Sequence, residues 1–465
     1  MNILKNIWGN IKKHRQFAIF SISSIFFYGS FWFLFQLNNF QLTNPVGSYS
    51  NLIAAFWPFI AFIFILLGNL LAIIFFYKHL AKFSFPALFV LFVFISLLLL
   101  FSFPVGATDI YCYIFQGRVF SIGHLSPLVT PYQKLSGDLF YNSLSGLQWT
   151  KITAPYGPLF IMIESGLSAL FKNNLIATLI TFKTFFFLIN TLNAYLLYRW
   201  FGKKAFWFYA FNPLIIFELV INGHNDSIII LLLIICFYIF KKATNNPGFK
   251  YYILAFIPLM ASVLVKYTSL IILPFFYLIS LSAIKTASAR IKYSFSLFLI
   301  MALMIFLSYI PFGANIYKSL QSTINQFNLT SEIFISPLIL IFQAVASYWH
   351  LYNYASLAAI ASRIIFIIFY ICLIFKAWPR RPRQNTENDS FLAFIKYSTL
   401  AFAGFCACFF TWFMPWYLCT LLLMLILSLA IFSQKQQKDE QIEKLITTGI
   451  YFISIYGIVI YVILR

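Results

Sequence analysis

The chain of 465 residues is 62% hydrophobic and 21% aromatic but only 9% charged, with a mean hydropathy of +0.87. Soluble domains carry roughly 25% charged residues, so this composition excludes a soluble globular protein. The formal net charge of +21 is spread over short basic clusters between apolar runs, which is the pattern of cytoplasmic loops and not of a nucleic-acid-binding surface.

The chain opens on MNILKNIWGNIKKHR, a basic stretch leading into an apolar run over 16–37. That run is too long for a signal-peptide core and lacks a small-residue cleavage site, so it is expected to be an uncleaved first span with a cytoplasmic N-terminus. Further spans are expected at 53–76, 84–103, 175–198, 205–221, 226–240, 251–265, 268–284, 293–310, 355–375, 391–411, 416–433 and 445–463. The expectation is thus an all-α polytopic transmembrane helical bundle of about thirteen spans. A single integral membrane domain over 1–465, in the plasma (inner) membrane, is expected.

With this topology most basic residues, such as Lys12, Lys13, Lys203, Lys204, Arg380 and Arg381, collect on the cytoplasmic side. Two further apolar stretches, 157–171 and 338–350, do not fit as spans, because counting either one as a crossing would invert every later loop. Both are therefore expected as re-entrant or surface-lying helices. Two long segments, 104–156 and 311–354, face away from the cytoplasm, and any chemistry is expected there. Five cysteines, Cys236, Cys372, Cys406, Cys408 and Cys419, lie in apolar runs and only Cys112 in a long loop, so neither a disulfide framework nor a CxxC metal pair is present.

Of the 11 acids, Glu387, Asp389, Asp439, Glu440 and Glu443 fall in cytoplasmic loops. Asp109, Asp138, Glu164, Glu218, Asp226 and Glu332 remain. Asp109 stands a few residues past an apolar run, where a carboxylate is costly unless paired, hydrogen-bonded or used. The simplest structural role for Thr108 and Asp109 is a helix cap.

Around Asp109 stand Tyr111 and Tyr113, then Gln116, Gly117 and Arg118, then PYQ at 131–133 and APYGPL at 154–159. This run resembles the first long outer loop of GT-C-type glycosyltransferases that use a polyprenyl-phosphate sugar, in particular the polyprenol-phosphomannose-dependent mannosyltransferases. NPLIIFELVINGHND at 212–226, VKYTSLIILP at 265–274 and MPWYL at 414–418 continue the resemblance. SPL at 126–128 departs from the family's Asn-Pro-Tyr. The resemblance implies a GT-C-like fold and an inverting, metal-independent transfer of a hexose, with mannose the sugar it points to. The donor would be a polyprenyl-phosphate sugar, the acceptor a glycan or glycolipid, with no cofactor and membrane lipids as surroundings.

Displacement at an anomeric carbon needs a base for the acceptor hydroxyl and positive charge for the departing phosphate. The resemblance makes Asp109 the base and assigns Tyr111, Tyr113, Arg118 and Tyr156 to the sugar or acceptor. Lys266 interrupts the apolar run 251–284 at what must be the outward turn of a helical hairpin. It is the leading candidate for the phosphate, the alternative being a snorkelling lysine. Arg363 and Lys183 lie inside expected spans and are candidate second phosphate ligands, or else partners of an acid such as Glu164 or Glu218.

Glu218, His224, Asn225 and Asp226 gather around the NGHND turn, either to bind sugar or acceptor hydroxyls or to form a polar cap between helices. A metal is not expected there, because His224 and Asp226 have no third ligand close in sequence. Trp412, Trp416 and Tyr417 flank Met414–Pro415, where rings could stack on a sugar or join an interfacial belt. The competing class is a transporter or lipid flippase without covalent chemistry, which would spread polar residues through the midplane and both faces.

Overall fold

A computed structural model describes residues 2–37, 44–46, 48, 56–245, 249–313, 317–318, 321, 335–350, 353–378, 387–432 and 440–463. Among them every regular element is a helix. That is the arrangement hydrocarbon demands, because a helix satisfies its backbone hydrogen bonds within one segment. The longer helices are α1 (Asn2–Leu37), α2 (Phe56–Tyr77), α3 (Phe85–Leu100), α4 (Asp109–Ser121), α5 (Pro158–Leu170), α6 (Leu175–Phe201), α7 (Lys203–Ala210) and α8 (Asp226–Thr244). They continue with α9 (Lys250–Val265), α10 (Leu273–Ala283), α11 (Ala287–Tyr309), α12 (Pro337–Tyr348), α13 (Tyr354–Ala377), α14 (Glu387–Cys408), α15 (Tyr417–Phe432) and α16 (Glu440–Ile463).

Seven helices among the described residues are long and apolar enough to cross a membrane. The pair Lys203–Ala210 and Pro213–Ile221, bent by 55°, makes an eighth if read as one broken span. Several expected spans, 84–103, 251–265, 268–284 and 416–433 among them, fall on helices shorter than a straight crossing requires. The stretches expected to be re-entrant or surface-lying form helices of only 13 and 12 residues, α5 and α12. Of the second long segment, residues 314–316, 319–320, 322–334 and 351–352, Glu332 included, lie outside the described residues.

Sequence chemistry explains the boundaries that matter for the site. Proline stands in the opening turn of α3, α5, α10 and α12, where its missing N–H costs nothing. The bend after α7 is set by Asn212, whose side chain accepts from the backbone of Leu214 and Ile215 before a π-helical turn over Ile216–Ile221. Gly117 lets α4 lie directly on α5: a Cβ there would come within 2.4 Å of the Glu164 carbonyl oxygen. Packed aromatic rings such as Phe20, Trp207 and Phe211 fill the interior. Faces such as Ile291, Phe295 and Phe298 of α11 leave large apolar side chains exposed, as lipid contact requires.

Candidate functional site

Asp109 opens α4. Thr108 makes no side-chain cap, and the Asp109 carboxylate instead accepts a hydrogen bond from the Tyr156 hydroxyl at 3.0 Å. Burial, and then the charge of Asp109, push the Tyr156 phenol well above its ordinary pKa, so it stays a protonated donor. Asp109, Cys112 and Gln116 recur at the spacing of one helical face, and all three line a cavity of about 160 Å³.

Among the described residues, four other segments add to the wall. The connection before α5 supplies Trp149, Ile152, Pro155 and Tyr156; the turn after α9 supplies Lys266, Tyr267 and Thr268. Arg363 enters from α13, and the stretch before α15 contributes Phe409–Trp412, Met414, Trp416 and Tyr417. Trp149 and Trp412 meet edge to face with centroids 5.1 Å apart.

Residues 156 and 157 draw the two chemical ends together. Tyr156 holds Asp109, and the next residue, Gly157, donates its N–H to the Val265 carbonyl at 3.0 Å, one position before Lys266. A side chain at position 157 would force the two backbones apart, because a Cβ would stand 2.0 Å from the Leu264 carbonyl oxygen. The glycine is needed there for space.

The two cavity cations differ in kind. Lys266 donates from Nζ to Asp226 Oδ2 at 2.8 Å and lies 4.7 Å from the Tyr417 ring centroid. Asp226, at the start of α8, is buried, so the lysine's charge is already compensated. Arg363 donates from Nε to the Phe409 carbonyl at 3.3 Å and from Nη2 to Thr411 Oγ1 at 3.0 Å. Among the described residues it pairs with no carboxylate.

Residues 222–226 form a buried polar layer behind the wall. Asn222 accepts from the Gly106 N–H at 3.0 Å and donates to Glu218 Oε2 at 3.1 Å, tying the strand of loop that leads into Asp109 to the π-helical turn. Gly223 supplies the turn's left-handed residue, φ 72°. His224 stacks on Trp416, centroids 4.1 Å apart, and its Nε2 lies 3.2 Å from Glu218 Oε2. The Asn225 backbone N–H points at the Tyr113 hydroxyl, 3.4 Å away. Glu218, His224, Asn225 and Asp226 therefore back the cavity, and Asp226 acts as the counter-ion of Lys266. Among the described residues no group of three or more His, Cys, Asp or Glu could hold a metal ion.

Asp109, Tyr156, Lys266, Arg363, Trp416 and Tyr417 thus meet at one cavity. Tyr111, Tyr113 and Arg118, like the residues of the polar layer, stand outside its wall. Tyr111 and Tyr113 are buried, the latter with its ring edge-on to Tyr156 at 5.2 Å and Phe160 at 4.8 Å. Arg118 is buried in a bidentate pair with Asp138, over the Phe140 ring, and donates to the Lys172 carbonyl. The Tyr132 hydroxyl donates to the same aspartate at 2.6 Å, so this cluster holds the first long connection together.

Lys183, expected near phosphate or an acid, also lies away from the wall. It is buried and donates to the carbonyl oxygens of Ser102 and Ile221, bridging the end of α3 to the π-helical turn. Gln116, quoted in the sequence only as part of the run around Asp109 and given no role, lines the cavity, as do Trp149 and Thr411, which were not singled out. The seven-residue step from Asp109 to Gln116 was the available signal; Trp149 had none, being one aromatic among many.

The alpha-(1->6)-mannopyranosyltransferase N-terminal domain family matches residues 41–282, just over half the chain. An alpha-(1->6)-mannopyranosyltransferase of Mycobacterium tuberculosis is 31% identical over 134 residues, 27% of this chain and 22% of the relative. Alpha-(1->6)-mannopyranosyltransferase A of the same organism is 28% identical over 188 residues, 38% of this chain and 34% of the relative. A probable alpha-(1->6)-mannopyranosyltransferase of Mycolicibacterium smegmatis is 29% identical over 134 residues, 27% and 24% of the two chains. The aligned segments cover about a third or less of each relative.

Proposed function

Because the chain belongs to the alpha-(1->6)-mannopyranosyltransferase family, we propose that it transfers mannose from a polyprenyl-phosphate donor to a glycan or glycolipid, on the membrane face away from the cytoplasm. Asp109 is the base. It takes the proton of the acceptor hydroxyl as that oxygen bonds to the anomeric carbon; the bond from that carbon to the phosphate oxygen breaks and its electron pair leaves with the polyprenyl phosphate. Attack opposite the leaving group inverts the anomeric centre.

Tyr156 orients the carboxylate through Oδ1 and leaves the other oxygen for the acceptor. The leaving phosphate gains negative charge, so a cation placed beside it stabilises the transition state more than the ground state. Arg363 suits this role because no carboxylate among the described residues neutralises it. Lys266, with one donor on Asp226, has others to offer.

The observation that carries the reading is the presence of Asp109, Arg363 and Lys266 on one cavity. Membranes containing the protein, supplied in turn with labelled polyprenyl-phosphate mannose and with a labelled nucleotide-linked mannose, should move label to a glycan or lipid product from the first donor only. Transfer from the nucleotide sugar alone would remove the proposed donor. Movement of the polyprenyl donor across vesicles with no product would favour the flippase class.

A further inference from the structure

The α4 stripe that begins at Asp109 ends at Gln116, seven residues and about 10 Å further along the helix axis. Gln116 lines the cavity, yet it is only 3% exposed, and its Oε1 has no hydrogen-bond partner among the described residues. A buried amide oxygen left unsatisfied is costly. Because the side chain lines the cavity, a small turn of the amide brings this atom to a ligand donor. Its neighbour Gly117 packs against the Glu164 carbonyl, which fixes this turn of the helix against α5.

Aromatic surface stands in the same wall. Trp149 and Trp412 are half-buried, so each keeps surface open. Pyranose rings present C–H faces that pack on indole and hydroxyls that seek amide partners, and a wall offering both suits a sugar better than an acyl chain or a phosphate.

The geometry points to Gln116, with the Trp149–Trp412 pair, as the element that recognises the acceptor and selects it as a pyranoside. An acceptor hydroxyl donates to Gln116 Oε1 while a ring face rests on tryptophan. This rests on the reading of the cavity as a glycosyl-transfer site but concerns the acceptor end alone. Loss of a partner for a buried amide discriminates strongly between ligands that carry the hydroxyl and those that do not.

The test uses the full-length protein in detergent, hexyl α-D-mannopyranoside as probe, and tryptophan fluorescence and calorimetry as readouts, with no donor present. Wild type should bind the mannoside and quench tryptophan emission. Gln116→Met, which keeps length and removes the amide, should weaken binding by about 10-fold or more. Gln116→Asn, which keeps the amide but draws it back, should fall between them and serves if the methionine variant does not fold. Trp149→Ala should lower affinity and most of the quenching. Equal affinity for wild type and either Gln116 variant would overturn the inference. Mannoside binding that depends on Gln116 in a protein that transfers nothing would sink the transferase reading and leave this one standing. Transfer with an acceptor KM unmoved by Gln116→Met would do the reverse.

Discussion

Gly157 and Leu264 touch so closely that a side chain between them would have to push the backbones apart: a Cβ on the glycine would stand 2.0 Å from the leucine's carbonyl oxygen. This contact joins the segment holding Asp109 to the segment ending at Lys266, so the catalytic proposal depends on a backbone approach one residue from Tyr156 and two from Lys266.

Replacing Gly157 with alanine should therefore do two things. Backbone atoms cannot rotate away as a side chain can, and overpacking of this kind costs about 1–3 kcal/mol. The purified variant should melt at a lower temperature. Its transfer rate per folded molecule should fall as well, because Tyr156 and Lys266 are displaced together; an unchanged rate in a folded variant would show that the contact does not align the site.

Asp109→Asn removes the proposed base while keeping shape, and initial rates should fall by about 100-fold or more. Tyr156→Phe keeps the ring packing against Tyr113 but loses the hydrogen bond that orients the carboxylate. A drop of roughly 10-fold, smaller than that of Asp109→Asn, is expected. Full activity of Asp109→Asn in membranes would eliminate the base.

The two cations should separate by stability. Arg363→Met leaves no buried carboxylate behind, so thermal stability should hold while the KM for the polyprenyl donor rises by about 10-fold or more. Lys266→Met strands the buried Asp226 and should destabilise the protein by about 3–5 kcal/mol. Adding Asp226→Asn should recover much of that stability without restoring donor affinity. Thermal melts and donor titrations on the four proteins check the pattern, and a donor KM unaffected by Arg363→Met would remove the arginine from the phosphate site.

Arg118→Ala gives the opposite signature. Its guanidinium and the Asp138 carboxylate are both buried, so breaking the pair should cost about 3–5 kcal/mol. Molecules that still fold should keep donor and acceptor KM values within about 2-fold, because the pair braces the loop and lies outside the cavity. A large change in acceptor KM at unchanged stability would return Arg118 to the binding site.

Asp109 could be read from the chain because a carboxylate just past an apolar run is expensive wherever it lies, and Tyr156 came with it through the order of motifs. Lys266 was legible for a similar reason, as a lone cation in a long apolar run. Its partner was not: Asp226 read as a ligand for sugar or acceptor hydroxyls or as part of a polar cap between helices, and only folding shows it opening α8 beside the lysine amine.

Composition alone determined that this protein is a membrane-embedded helical bundle, since the medium's demand for apolar surface and satisfied backbone is felt residue by residue. Arg118, Lys183 and Arg363 look alike on that scale, each a cation in or beside an apolar segment. Tertiary structure gave the first a carboxylate, the second two carbonyls and the third a place on the cavity wall. What a charge can do depends on what lies within a few ångströms of it, and those neighbours come from distant parts of the chain.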